Sequence, residues 1–577
     1  MCDKLVFDLS QEVEGSPSVF VKRDWLNILD NQNANYNSNQ SVIDTSQLSN
    51  SNKFMSYREA YLSVPLLLTV ASTTLATATN FAPASNATSA DNSVGLKNWF
   101  GQMIHSLTLD YNGTTIIQQT PWCNMWNTFK LMTSFSWNDV ESQGATIGFF
   151  PDDPTTFEFN TLAGGSASGV GVCNNTNHFK TPNLTIFSHY NRQSGNTGLR
   201  RRQMYINYDA DATSGTGTLY SSMLTATACS QVWKSYVSSK VNGLNATNQG
   251  SFQISVMATI YLKHLHSFFA LCPLLKGAYM KMTLNLNNTS TKFVSAGAGG
   301  AITLASVSNA VGGVNPGMIA SAVADNGSSN CFGINDYTYN VSVGGKCLDP
   351  TLAGFVATGG VAQSIYLYVP SYTFNPVFEM SYLSSPVKSI KYTDIYQYQV
   401  LNVPAGQNMN NLITNGIADI KSILVVPFYS TASSGAGGTE LPAGMPVYQS
   451  PFDPAGCGAT SPLIQLTNFN IVVSGQNAIY NTQRYSYEEF NNQFYGVNAV
   501  NGNMTDGLAS GLINRSGFDL EQSFYYLDLS RMLPVEQSVP KSVQIVGQNV
   551  GAKPLDLWIF IEYGVQVDLD ILTGVRV

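Results

Sequence analysis

The sequence predicts an all-β chain folded as two tandem β-sandwiches, and three observations carry that prediction. Segments that alternate apolar and polar residues recur at short spacing along most of the chain. Helical spacing is rare and confined to short runs. A stretch without a single charge, Phe293 to Ala324, separates two β-rich parts of similar length, about 56–290 and about 333–577. At 577 residues the chain exceeds what one hydrophobic core usually serves, so two domains are expected.

The elements follow in order. Residues 1–53 read as an N-terminal arm, because Asn31 to Gln40 has no periodicity and no apolar content, and order there would have to come from partners. The first domain is placed at 54–292. Leu96, Trp99, Phe100, Met103 and Ile104 fall at helical spacing behind Ser93, which predicts a helix over 93–105. Asn112-Gly113 then breaks Leu107 to Ile117 into a hairpin. A second helix is expected after Thr120-Pro121, with Trp122, Met125, Trp126 and Phe129 on one side. Phe252, Ile254, Val256, Ala258 and Ile260 make one face of a strand, and Met280, Met282, Leu284 and Leu286 make one face of the next.

Residues 293–332 read as a linker or loop rather than a membrane helix, since the stretch is mostly Gly, Ala, Ser and Val with Gly299-Gly300, Gly312-Gly313 and Asn315-Pro316-Gly317. The second domain is placed at 333–577. Phe469, Ile471 and Val473 mark a strand, Tyr487, Phe490 and Phe494 a helix. Leu555, Leu557, Ile559, Ile561, Tyr563, Val565, Val567, Leu569 and Ile571 form one long apolar face opposite Asp556, Glu562, Gln566, Asp568 and Asp570.

Charged residues make up only 11% of the chain, against about a quarter in ordinary globular proteins. Asn, Gln, Ser and Thr solvate the surface instead, as in Thr73 to Asn80. Such a surface suits packing against further copies, where each buried charge would cost desolvation. A net charge of −8 argues against a broad phosphate-binding face, and the one basic cluster, Arg200 to Arg202, reads as a solvated loop or a subunit contact. No sequence-specific nucleic-acid binding is expected. Cysteines 2, 123, 173, 229, 272, 331, 347 and 457 are scattered without a Cys-x-x-Cys, so they read as free thiols made in a reducing compartment. Met1 to Ser10 has no apolar core of a signal peptide, and the sequons at Asn86, Asn183, Asn340 and Asn503 are expected to stay unmodified.

Composition does not choose among sandwich types. The order of elements, however, resembles the double jelly-roll major capsid proteins of virophages and polinton-like viruses. Lys53 to Pro65 looks like the opening strand of the first jelly roll, and the segments at 93–105, Asn112-Gly113 and from Pro121 look like that domain's insertion. Phe268 to Lys276 with the strand at 278–287 is similar to its close. In the second half, Asp419 to Phe428, Pro462 to Phe494, Tyr525 to Leu529 and Leu555 to Leu572 resemble successive blocks of the family. The long segments 293–324 and Ser433 to Gly444 depart from its smallest members. The resemblance implies two tandem jelly rolls and three chains closing into a pseudo-hexagonal capsomer of an icosahedral shell around a DNA genome. It places the chain in the virion, made in the host cytoplasm or a virus factory. It also implies a penton (vertex) protein and minor or cement capsid proteins as partners, and leaves an internal membrane open.

No catalytic, cofactor or metal site is expected. There is no Gly-x-Ser-x-Gly and no phosphate-cradling Gly-x-x-x-x-Gly-Lys, and the runs Gly297 to Gly300 and Gly435 to Gly438 read as loops. Of the five histidines, at 105, 178, 189, 264 and 266, only His264 and His266 stand at metal-ligand spacing, and a polar patch at a strand end is the favoured reading. The adjacent acids Asp152-Asp153 and Glu488-Glu489 point apart on strand or helix. Tyr366, Tyr368, Tyr372, Tyr382, Tyr392, Tyr396 and Tyr398 read as packing residues rather than a sugar platform. The alternative function, a carbohydrate-binding or glycan-hydrolysing β-sandwich protein, would need an exposed aromatic surface or two converging carboxylates.

Overall fold

In a computed structural model of the chain, the residues described are essentially 18–72, 93–150, 250–295, 302–320, 337–344, 363–429, 466–479, 485–500, 511–530 and 539–571, less a few gaps of one to six positions. Short strands at Phe159–Thr161, Leu184–Ser188, Met204–Tyr205 and Val237–Asn242 complete the set.

The first half runs β1 (Phe20–Leu29), β2 (Gln40–Asp44), β3 (Tyr61–Ser72), β4 (Ile104–Tyr111), β5 (Thr114–Ile117) and helix α1 (Cys123–Ser134). It continues through β6 (Gly250–Tyr261), the short helix α2 (Ser267–Leu271), β7 (Met280–Leu286), β8 (Thr289–Ser295), β9 (Ile302–Asn309), β10 (Tyr337–Val343) and β11 (Tyr366–Phe374). Central to one sheet is β3, paired along its whole length with β6, from Tyr61 opposite Tyr261 to Ser72 opposite Gly250. Its other edge is shared by β11 at Tyr61 to Ser63 and β10 at Leu66 to Ala71. The facing sheet has the order β2-β7-β4-β5. Leu62, Val64, Leu66 and Leu68 of β3 meet Leu107, Leu109, Met280, Met282 and Leu284 in one core. The expected hairpin joins β4 to β5, and Asn112 (φ 47°) and Gly113 (φ 81°) both take the left-handed backbone that a two-residue turn of this hand requires.

Four expectations change. Residues 20–29 and 40–44 are not an arm awaiting partners: β1 pairs with β11 from Phe20 opposite Phe374 to Leu29 opposite Tyr366, and β2 pairs with β7. Buried Ile28 and Ile43 join the first core, so the chain itself supplies the order. Within 293–332, Phe293 to Ser295 of β8 and Ile302–Asn309 of β9 pair as strands, β8 also pairing with β10, so these residues are strand rather than loop, and 296–301, 310–315 and 321–332 lie outside the described residues. Ser93–Leu96 is a strand and Phe100–Met103 only a single 3-10 turn before β4, so no helix spans 93–105. The apolar spacing there reflects burial on several sides, since Leu96, Trp99, Phe100, Met103 and Ile104 are all core. Moreover β10 and β11, which a division at 333 assigns to the second half, pair with β3 of the first.

After helix α3 (Pro376–Leu383), capped by Asn375 with proline at its first turn, the second half contributes β12 (Val387–Val403), β13 (Asn408–Ile417), β14 (Ile420–Tyr429), β15 (Leu466–Val473) and β16 (Gln476–Asn477). Helix α4 (Tyr487–Val500), at the position expected from Tyr487, Phe490 and Phe494, precedes β17 (Tyr525–Asp528), β18 (Lys541–Asn549) and β19 (Leu555–Asp570). The two sheets are β12-β19-β14-β17 and β13-β18-β15-β16. First pairs with eighth, third with sixth, second with seventh and fourth with fifth, all antiparallel. That nesting is a hairpin rolled on itself, the jelly-roll order. Its interior takes residues from both sheets, among them Ile423, Val425, Ile471, Val543, Ile545 and Leu557. The fold class is all-β, two sandwiches in tandem with a few short helices, a double jelly roll.

Candidate functional site

The densest chemistry lies on the seam between the two sandwiches, and α1 builds it. Its residues from Cys123 to Thr133 are buried apart from Lys130, the polar Asn124, Asn127 and Thr128 among them. Trp122, Trp126 and Phe129 reach the second half: ring centroids lie 5.6 Å apart for Trp122 and Trp558, 6.3 Å for Trp126 and Phe560, and 5.3 Å for Phe129 and Tyr526. Those partners sit on the outer face of β19 and β17. Sequence alternation made Asp556 and Glu562 the sign of a wet face on β19, yet Trp558 and Phe560 lie between them and every residue from Leu555 to Glu562 is buried. One face of β19 fills the second sandwich and the other closes the seam.

The polar groups on this face are paired. Asp556 accepts from Asn402 N at 2.7 Å. Glu562 accepts from Ser422 Oγ at 2.7 Å and lies 3.3 Å from Lys130 Nζ of α1. Burial alone would raise its pKa, but Lys130, Ser422 and Thr393 together hold the carboxyl below the ordinary glutamate range. In the orientation that satisfies its surroundings, Gln399 Oε1 accepts from Nε1 of Trp122 and of Trp558, each at 3.0 Å, one indole from each half.

His264 and His266 do not share a strand face. Leu262–Leu265 is a helical turn and His266 caps α2, its Nδ1 accepting from Phe268 N at 3.2 Å. The proton then sits on Nε2, which lies 3.3 Å from Asp394 Oδ1 across the seam. Beside it Ser267 Oγ donates to the Thr393 carbonyl at 2.5 Å. Among the described residues no group of three His, Cys, Asp or Glu is placed to hold a metal ion. His264 stands among Trp99, Phe135 and Tyr261, and burial lowers its pKa to about 4. His105, against Trp122, is lowered to about 4 for the same reason.

The seven tyrosines do not form one platform. Tyr392 and Tyr382 donate to the carbonyls of Ile116 and Leu274, each at 2.8 Å, and Tyr372 donates to Glu59. Tyr368 stacks on Tyr61, whose ring is flanked by Tyr261 and Trp25, so these faces cover one another. Glu488 and Glu489 open α4 and are directed differently, one to Arg515 at 3.6 Å and the other accepting from Gln493 Nε2 at 3.2 Å. Cys123 and Cys272 are free and buried. Asn340 of β10 is fully buried, so its sequon has no room for a glycan in the folded chain. Exposed apolar side chains cluster by element instead: Val21 and Trp25 on β1, Val377 (68% exposed) and Met380 (72%) on α3, and Leu401 and Leu412 on the second sandwich.

Arg200 to Arg202, Thr73 to Asn80, Asp152-Asp153, Ser433 to Gly444, His178, His189 and the other six cysteines lie outside the described residues, as do the sequons at Asn86, Asn183 and Asn503. Among the described residues no helix is long and apolar enough to cross a membrane.

A scan against family models finds no match, and a search of curated proteins finds none. Solved structures do show similarity. The chain is similar to one from the structure of the Sputnik virophage, with 11% identity, a TM-score of 0.49 and coverage of 97% of this chain and 88% of that one. It is also similar to the mavirus major capsid protein, with 9% identity, a TM-score of 0.43 and coverage of 99% and 92%.

Proposed function

We propose that this chain is a structural building block of a viral shell, a protein whose work is self-assembly rather than catalysis. More particularly, it acts as the major capsid protein of a small icosahedral DNA virus of the virophage or polinton-like kind, as a homotrimer. The observation that carries this reading is the fusion of two sandwiches into one body through an apolar seam. One chain then presents two similar wedges, divided between Phe374 and Val387, and three chains supply six. The nearly uncharged surface and the exposed Val21, Trp25, Val377 and Met380 support it, because obligate contacts are apolar at their centre. Penton and minor capsid proteins are the partners this role requires, with an internal membrane as a further surface.

The glycan reading finds less support. The aromatic residues near Tyr61 pack on one another, and the seam cavity exposes one carboxylate, Glu562, already engaged by Lys130. Electron microscopy of the purified chain tests the proposal. Pseudo-hexagonal particles of three subunits are expected. Single dispersed chains that are retained on immobilised glycans would transfer the assignment to the sugar-binding class.

A further inference from the structure

β1 is an edge strand whose outer edge is left open. It pairs with β11 on one side, and among the described residues no strand pairs with the other. The hydrogen bond from Asp30 N to the Ile365 carbonyl at 3.2 Å fixes the phase of that pairing, so Asp24, Leu26 and Ile28 also turn their backbone groups to β11. Trp25, Asn27 and Leu29 therefore turn N–H and C=O outward, and those groups have no hydrogen-bond partner among the described residues. Edge strands are usually blunted by charge, proline or a bulge. Here the bulge lies between Phe20 and Lys22, and the charges end at Asp24. From Trp25 to Leu29 the edge has none of these, and Trp25 (48% exposed) and Leu29 (39%) stand beside it in solvent.

The segment Trp25-Leu26-Asn27-Ile28-Leu29 is also matched to itself. When two antiparallel strands are related by a two-fold axis through the sheet, opposed residues share a face, so the axis passes beside a residue rather than between two. Centred on Asn27, Trp25 faces Leu29, Leu26 faces Ile28 and Asn27 faces its own copy, apolar with apolar and amide with amide. Centred on Arg23 or Asp24, the strands oppose like charges. Centred on Trp25 they set Asp24 against Leu26, and centred on Leu26 they set Trp25 against Asn27 and Asp24 against Ile28. The Asn27 register satisfies the edge without opposing a charge to an apolar side chain.

We propose that β1 pairs edge to edge with β1 of a second copy, antiparallel about Asn27, so that one sheet runs through both molecules. A two-fold contact cannot close a ring of three, so this surface is additional to the trimer proposed above and joins one trimer to the next. The patch is small, below the roughly 1,000 Å² of a stable interface. Pairing is therefore expected at high concentration, or where many copies held on one shell make the contacts act together.

Light scattering on the full chain, as its concentration is raised from the micromolar toward the millimolar range, tests this. The mass of the dilute species is expected to double. Asn27→Pro removes the central outward N–H, and proline is tolerated where a strand's N–H faces solvent, so this variant should melt as the parent does and not double. Asn27→Asp and Asn27→Lys each set like charges against each other across the axis and should weaken doubling roughly tenfold. Mixed in equal amounts, the two should pair more strongly than either alone, which general stickiness of an apolar edge would not produce. The control Leu401→Lys, exposed on the second sandwich, should double as the parent does. A parent that never doubles overturns the proposal, whether the edge then stays single or takes another protein's strand. An Asn27→Pro chain of parental stability that doubles, or a mixture no stronger than its parts, overturns it as well. Doubling from a single chain would contradict the trimer and leave the edge pairing standing, and a trimer that never doubles would do the reverse.

Discussion

At the scale of single residues, the seam depends on a few side chains that reach from one half to the other. Trp558 is fully buried against Trp122, and truncating such an aromatic in a packed core costs about 3–5 kcal/mol. We therefore expect Trp558→Ala to unfold at much lower urea concentration. Gln399→Leu, which strands two indole N–H groups, should cost roughly 1–3 kcal/mol in the same titration. Buried His105 and half-buried His264 set a pH dependence of definite sign. Burial lowers His105 and His264 to about 4, while the unfolded chain titrates near the ordinary 6.5, so below that pH the unfolded state binds more protons. Stability should be level above pH 6.5 and fall as pH drops from 6.5 toward 4, by up to about 1.4 kcal/mol per pH unit for each histidine. His105→Gln should make the slope of urea midpoint against pH shallower. A flat profile in the parent would show that these rings are not buried neutral. Sequence spacing brought His264 and His266 together but could not say that a helical turn, not a strand, carries the first. Only the fold brought Glu562 to Lys130 of α1.

Among elements, strands with one wet face were legible and elements buried on both faces were not. Met280, Met282, Leu284 and Leu286 alternate with Lys281, Thr283 and Asn285, and β7 is buried and open in that rhythm. By contrast β19 from Leu555 to Glu562 is covered on both sides, so its period-two signal is overwritten by Trp558 and Phe560. The N-terminal segment misled for another reason. Its partner strand β11 lies more than three hundred residues away, and pairing at such a distance leaves no local mark. This changes what a truncation should do. Removing residues 1–30 deletes β1, withdraws Leu26 and Ile28 from the first core and bares the edge of β11. The product should aggregate or melt well below the parent, as followed by circular dichroism and size exclusion. A soluble truncated chain with unchanged melting would return this segment to a role in assembly alone.

For the whole molecule, the sequence carried the class and the tandem plan, because alternation, turn chemistry and low charge are properties of composition and short range. The jelly-roll order of the second half is a matter of which strand meets which, and there the resemblance rather than periodicity anticipated the nested pairing of β12 with β19 and β13 with β18. The boundary between halves is a long-range property too, since β10 and β11 return to β3 after the charge-free stretch. The central claim is that two fused wedges per chain exist to make a trimer. Light scattering on the full chain during size exclusion, repeated on dilution through the micromolar range, tests it most directly. We predict one species of three times the chain's 62.4 kDa that persists on dilution. A monodisperse species at 62.4 kDa would contradict it.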